Sequence, residues 1–224
     1  MLTFDTLCRH VGKTSRGTCL LALLAITGSQ AVDAGQAMTD ESATEAVKRT
    51  ITDLIYVLDD ETLKQPEQSE NRRREIEEII RQRADYEEMA KRALGAPWST
   101  LLKREQQEFV SLFVQLLRDT FAGRITEHHD EQVAYLGEHR EEDVYAEVHT
   151  RLKGRKIDTL IDYRMINRGG DWRVYDVVID GASIVSNYRS QFTSIIREVS
   201  YVGLVTKMKQ KAIAVKVFER YPAP

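Results

Sequence analysis

The chain has 224 residues, 42% of them hydrophobic and 30% charged, with a formal net charge of -3 and a mean hydropathy of -0.41. That length fits one domain of ordinary size with extensions. The slight acidic excess argues against a nucleic-acid partner, which calls for a basic surplus, and the low hydropathy argues against an integral membrane protein.

The N-terminus has the layout of an export signal. Arg9, Lys13 and Arg16 form a positive region, and the short apolar run Cys19 to Thr27 follows it. Val32-Asp33-Ala34 or Ser29-Gln30-Ala31 meets a small-x-small cleavage rule. The run is far shorter than the roughly 18 apolar residues that a membrane span requires. Residues 1–34 are therefore expected to be a cleaved signal peptide and the mature protein to be exported. Both cysteines, Cys8 and Cys19, lie in this segment, so cleavage after Ala34 leaves no thiol and no disulfide. It also removes a net charge of +1 and leaves -4.

Beyond the signal, Ser42 to Leu63 reads as a helix with Ala46, Ile51, Leu54, Ile55 and Leu58 on one face, ended by Gln65-Pro66. Arg72 to Arg83 reads as a second, largely charged helix relieved by Ile76, Ile79 and Ile80. Its Arg72-Arg73-Arg74 run sits among glutamates, which suits surface salt bridges better than a polybasic lipid site. Asp85 is placed to cap a third helix, with Glu88 three residues on, and Gly95 and Pro97 close it. Glu105 to Ile125 is the strongest helical pattern. Phe109, Leu112, Phe113, Leu116, Leu117, Thr120 and Phe121 form a wide stripe that requires a large apolar partner.

From Gln132 the period changes to two. Val144, Ala146 and Val148 alternate with polar neighbours, as do Thr159, Ile161, Tyr163 and Met165. Asn167 to Asp171 (NRGGD) is a hairpin loop, because Asn and Gly accept the positive φ of such turns. Trp172 to Ile179 returns as a strand, and Asp180-Gly181 ends it. Ser183 to Glu198 is helical, with Ile184, Val185, Tyr188, Phe192, Ile195 and Ile196 as its apolar face, and Tyr201 to Lys211 continues as a last helix. The tail, 212–224, carries no clear period. Helices, then an antiparallel meander, then helix predict an α+β domain with helices on one face of an antiparallel sheet.

No catalytic constellation stands out: there is no phosphate-cradling Gly loop, nucleophile elbow or His-Glu-x-x-His. The best metal candidate is His128-His129-Asp130 with Glu131, His139 and His149. Adjacent residues at a helix end point in different directions, and the spacing to His139 matches no familiar site, so a polar loop is the expected role. Asp176 and Asp180 are strand acids that a cavity could tune, though Asp180, just before a helix start, reads first as a cap. By periodicity alone, the apolar residues read first as a plain core and only second as a cavity lining.

Three segments carry a resemblance. Trp172-Arg173-Val174-Tyr175-Asp176-Val177, then Asp180-Gly181-Ala182-Ser183-Ile184-Val185, then Asn187-Tyr188-Arg189-Ser190-Gln191-Phe192 resemble the strand-to-helix signature of the MlaC (toluene-tolerance) family. Met89-Ala90-Lys91-Arg92-Ala93-Leu94-Gly95 with Trp98 is similar to the family's M-A-x-x-A/V-L-G-x-x-W stretch. Glu105 to Phe109 and Tyr163-Arg164-Met165 fit it too. The likeness runs from Ala43 to Lys211, within a domain over 35–211 that leaves 212–224 as a C-terminal tail.

The resemblance implies a curved, NTF2-like antiparallel sheet that forms a cone with its helices around an apolar lipid cavity. It implies a periplasmic carrier with no catalytic activity and no cofactor, whose cargo is phospholipid. It further implies passage between an outer-membrane lipoprotein–porin complex and the substrate-binding subunit of an inner-membrane ABC transporter. A monomer is expected. Exposing two acyl tails of about 30 methylenes to water costs on the order of 20 kcal/mol, so a closed apolar sleeve is needed. Apolar periodicity nominates Phe109, Phe113, Leu117, Tyr163, Met165, Val178, Tyr188 and Phe192 for its lining. Tyr188→Asp or Phe192→Asp is expected to abolish lipid binding and leave the fold intact. Three alternatives stay open: a hopanoid or other polycyclic cargo, an NTF2-like isomerase or dehydratase that would use Asp176 with Tyr163 or Tyr175, and an adaptor with a filled core and no cavity.

Overall fold

In the computed structural model, residues 41–125, 132–154 and 157–211 are described; they fall within one compact unit, Thr39–Pro224. The proposed signal segment, the tail, and His128, His129, Asp130 and Glu131 lie outside the described residues. Four helices precede the sheet: α1 (Ala43–Asp59), α2 (Ser69–Arg83), α3 (Tyr86–Leu94) and α4 (Lys103–Ile125). Strands β1 (Gln132–Glu141), β2 (Tyr145–Lys153), β3 (Thr159–Asn167), β4 (Trp172–Ile179) and β5 (Ala182–Ser183) form an antiparallel sheet in chain order. Helix α5 (Ile184–Lys209) follows. This is the expected α+β architecture.

Local chemistry sets the helix ends. The Ser42 hydroxyl accepts from Glu45 N and starts α1, which ends at Asp59, earlier than expected. The Asp60 carboxylate turns the chain by accepting from the Thr62 and Leu63 amides, which holds its pKa below the usual carboxylate range. The buried face of α1 is Ala43, Ala46, Val47 and Val57, and Ile55 points outward. Small residues at its N-terminal end let it lie close on the sheet. Asp85 caps α3 through Glu88 N. The reciprocal half of the capping box is absent, because Asp85 N donates to Val174 O and the Glu88 carboxylate binds Arg92. That backbone bond also covers part of the β4 edge.

Helix α5 is two helices. Ser200 (φ 68, ψ 173) breaks it, so the last helix expected over Tyr201 to Lys211 is present and ends at Lys209. Gly203 is required just beyond the break, because a Cβ there would lie 2.7 Å from the Val199 Cβ.

The β-bulges decide which side chains share a face. Successive side chains alternate, and cross-strand partners point the same way. Ala146 pairs Met165, Val148 pairs Tyr163 and Thr150 pairs Ile161. Met165 pairs Val174, but Tyr163 pairs Val177 and Ile161 pairs Ile179, with Tyr175 as the extra residue. Leu136 is the extra residue in β1. The inner face therefore carries Trp172, Val174, Val177 and Ile179 from β4, and the outer face carries Asp176 and Val178.

Two apolar clusters fill the interior. One joins α1 to the inner face through Ala43, Ala46, Val47, Ala146, Val148, Met165, Trp172 and Val174. The other joins α3, α4 and α5, and Val177 packs against both. The Met-Ala-x-x-Ala-Leu-Gly-x-x-Trp stretch belongs to the second: Met89, Ala90, Ala93, Leu94 and Trp98 are all buried there.

Candidate functional site

The inner face grades from closed to partly open. At the β3–β4 hairpin end, Met165, Trp172 and Val174 are buried under α1. Further along the same strands, Tyr163, Ile161, Val177 and Ile179 are only half-buried, as are Val133 and Tyr135 on β1. These are apolar bodies with few polar atoms. Thr150 is nearly fully buried among them and donates its hydroxyl to Ile161 O. Burial raises the Tyr163 phenol well above its ordinary pKa, and nearby Tyr135 adds to the effect. Among the described residues, charge on this face is confined to the closed end, where Glu138, opposite Val148, accepts from Thr44 of α1 and pairs with Arg140; the half-buried part is apolar.

An aromatic wall belongs to the second cluster. Phe109 and Phe113 stack along α4 at 6.3 Å between centroids. Phe192 meets Phe109 edge-on at 5.7 Å, and Tyr188 meets Phe113 edge-on at 5.2 Å. Tyr201, beyond the α5 break, reaches Phe109 at 6.3 Å. Such pairs add about 0.5–1.5 kcal/mol each beyond the burial of area. The Tyr188 hydroxyl lies 3.0 Å from that of Thr120, and burial pushes its phenol up to about 12.

Of the eight nominated residues, five (Phe109, Phe113, Leu117, Tyr188 and Phe192) come together in this wall. Tyr163 and Met165 lie on the inner face of the sheet, in the other cluster. Val178 does not join them. The extra residue Tyr175 shifts the alternation of β4, so Val178 faces outward opposite Asp162 and Val177 takes the inner position. Sequence alternation from Trp172 counts without that bulge. The expectation that Tyr188→Asp or Phe192→Asp leaves the fold intact also changes, since both residues are fully buried at the centre of the wall. A carboxylate there would be stranded in a dry core.

The two strand acids are structural. Asp176 is buried on the outer face and accepts from Ser183 Oγ at 2.6 Å, Val185 N at 3.0 Å and Arg164 Nη1 at 3.3 Å. It cannot serve an inner cavity as an acid or base. Asp180 does not cap α5. It takes a positive φ of 47 and binds Leu160 N through its carboxylate, while Ser183 caps the helix by accepting from Ser186 N.

Among the described residues, no helix is long and apolar enough to cross a membrane. The family model described as "MlaC protein" matches residues 48–210. The Intermembrane phospholipid transport system binding protein MlaC of Haemophilus influenzae is 21% identical over 134 residues, a match spanning 58% of this chain and 63% of that protein. Thus the chain covers less than two thirds of that relative's length. The solved phospholipid-binding protein from Ralstonia solanacearum, in complex with a phospholipid, superposes with a TM-score of 0.67 at 24% identity. That likeness covers 76% of this chain and 96% of the other, and it shows the shared fold. With the family model spanning well over half of its residues, the chain belongs to the MlaC family.

Proposed function

We propose that this protein is a non-catalytic phospholipid carrier whose acyl-chain site lies between the inner face of the sheet and the aromatic wall of α4 and α5. The observation that carries the reading is the graded inner face: apolar side chains sealed at one end and half-buried at the other, with Val177 touching both clusters. Hydrocarbon offers nothing to hydrogen-bond, so it suits a surface that presents bulk and no charge. Membership of the family, and the phospholipid named for both relatives, support the cargo. In this reading Phe109, Phe113, Leu117, Tyr188 and Phe192 form the wall, and Tyr163, Met165 and Val177 form the floor.

The carrier works in the periplasm after removal of residues 1–34. It takes lipid from one membrane-bound partner and gives it to another: an outer-membrane lipoprotein–porin complex and the substrate-binding subunit of an inner-membrane ABC transporter. It equilibrates cargo between sites of different affinity, so the partners set the direction.

The test is organic extraction of the purified protein followed by lipid mass spectrometry. Stoichiometric phospholipid is expected. Val177→Trp, which fills the floor at a half-buried position, lowers the lipid content several-fold and keeps the native circular dichroism spectrum. A hopanoid in the extract would keep the carrier and change its cargo. Folded protein free of any lipid would sink the reading.

A further inference from the structure

The outer face of the sheet lies opposite the face assigned to lipid above. The strand register lays two rows of side chains across it. One row is His139, Glu147 and Arg164; the next is Gly137, His149 and Asp162. In sequence His139 and His149 look remote from one another and from Asp162. The two hairpins bring them onto one patch, because partners across strands and residues two apart share a face.

Three of these side chains are already gathered. His149 Nδ1 lies 2.9 Å from Asp162 Oδ1. One ligating atom each from Glu147, His149 and Asp162 lies within 4.8 Å of the others. All three remain open to solvent, with side-chain exposures of 31%, 40% and 25%. Gly137, directly opposite His149, leaves free space there: nothing lies within 4 Å of where its Cβ would be. A neighbouring cation, Arg164, has its Nε 3.6 Å from Glu147. Its Nη1 is also 3.3 Å from Asp176, so Glu147 can turn to an ion without leaving Arg164 without a carboxylate.

We propose that Glu147, His149 and Asp162 form a divalent-metal site of the Zn²⁺ class on the outer face of β2 and β3, with His139 as a fourth ligand from β1. A directly opposed pair such as His139 and Glu147 has Cβ atoms about 4.5–5.5 Å apart, within reach of one ion. Imidazole nitrogen with carboxylate oxygen selects zinc and its late first-row neighbours; Mg²⁺ and Ca²⁺ prefer oxygen-only shells. Two carboxylates balance the charge of the ion. Ligand bonds of about 2.0–2.2 Å place donors roughly 3.4 Å apart, so the 2.9 Å His149–Asp162 pair opens slightly and Glu147 swings in, small rotations for side chains on paired strands. The site is independent of the lipid cargo.

The experiment is titration of the purified protein with zinc chloride by calorimetry, repeated in His149→Gln, Asp162→Asn and the double variant His128→Gln/His129→Gln. A single saturable site is expected, weakened at least about tenfold in His149→Gln and in Asp162→Asn and unchanged in the double variant. Magnesium in large excess should not compete. Circular dichroism and lipid content, unchanged in both site variants, separate loss of the metal from loss of the fold or of the carrier site. Absence of saturable binding at millimolar zinc overturns the proposal. So does binding that survives both site variants, or that disappears in the double variant.

Discussion

Ser183 Oγ donates to Asp176 Oδ2 over 2.6 Å, and the two residues together cap α5: Ser183 accepts from Ser186 N, and Asp176 accepts from Val185 N. Strand β4 and helix α5 are thereby joined at the point where the chain passes from sheet to aromatic wall. Asp176→Asn puts an amide donor against existing donors and removes the charge facing Arg164. A loss of about 2–3 kcal/mol in urea unfolding is expected. Ser183→Ala should cost about 1 kcal/mol. Equal stability of Asp176→Asn and wild type would mean that the cap is not built as described.

Ser200 holds a backbone conformation (φ 68, ψ 173) that glycine adopts freely and other residues adopt at a cost of about 1–3 kcal/mol. Ser200→Gly is therefore expected to raise stability, by about 1 kcal/mol after the added freedom of the unfolded chain is counted. Gly203→Ala should do the reverse, since its Cβ would press on Val199. Thermal melts of the two variants, shifted in opposite directions, check both.

Alkaline pH should loosen the interior. Burial raises the phenols of Tyr188 and Tyr201 to about 12 each, and that of Tyr163 further. A raised folded-state pKa contributes stability that is complete below the unfolded value, near 10. It is lost as pH climbs toward the folded value. Urea midpoints should hold steady up to about pH 10 and then fall toward pH 12. Tyr163→Phe with Tyr188→Phe should flatten that fall.

Phe113 touches Phe109, Tyr188 and Phe192, and is fully buried. Phe113→Ala should cost about 3–5 kcal/mol. If the wall also supports the cargo, lipid added back to the purified variant should recover part of that loss, which a thermal melt with and without phospholipid would read.

What was legible in the sequence was local. The Asn167 to Asp171 hairpin, the Asp85 cap, the stripe on α4 and the apolar face of α5 each rest on residues within a turn or two of each other, so spacing alone suffices. What was not legible depends on a partner strand. β1 shows no clean alternation, because it is an edge strand with an extra residue at Leu136, and its segment reads as polar. Alternation counted from Trp172 points to Val178 rather than Val177, because the bulge at Tyr175 exists only in register with β3. Asp180 resembled a cap, yet it ties to Leu160, which lies 20 residues earlier. The metal-class cluster was hidden in the same way, behind two hairpins.

The extra residue at Tyr175 acts as a phase shifter for the strand. With it, the second half of β4 presents Val177 and Ile179 to the inner face and holds a buried carboxylate on the outer one. Deleting a single residue there would exchange the two sets. Asp176 would turn toward the inner face and α5 would lose its anchor in the same step. The apolar character of the inner face and the attachment of α5 to the sheet thus depend on one parity choice.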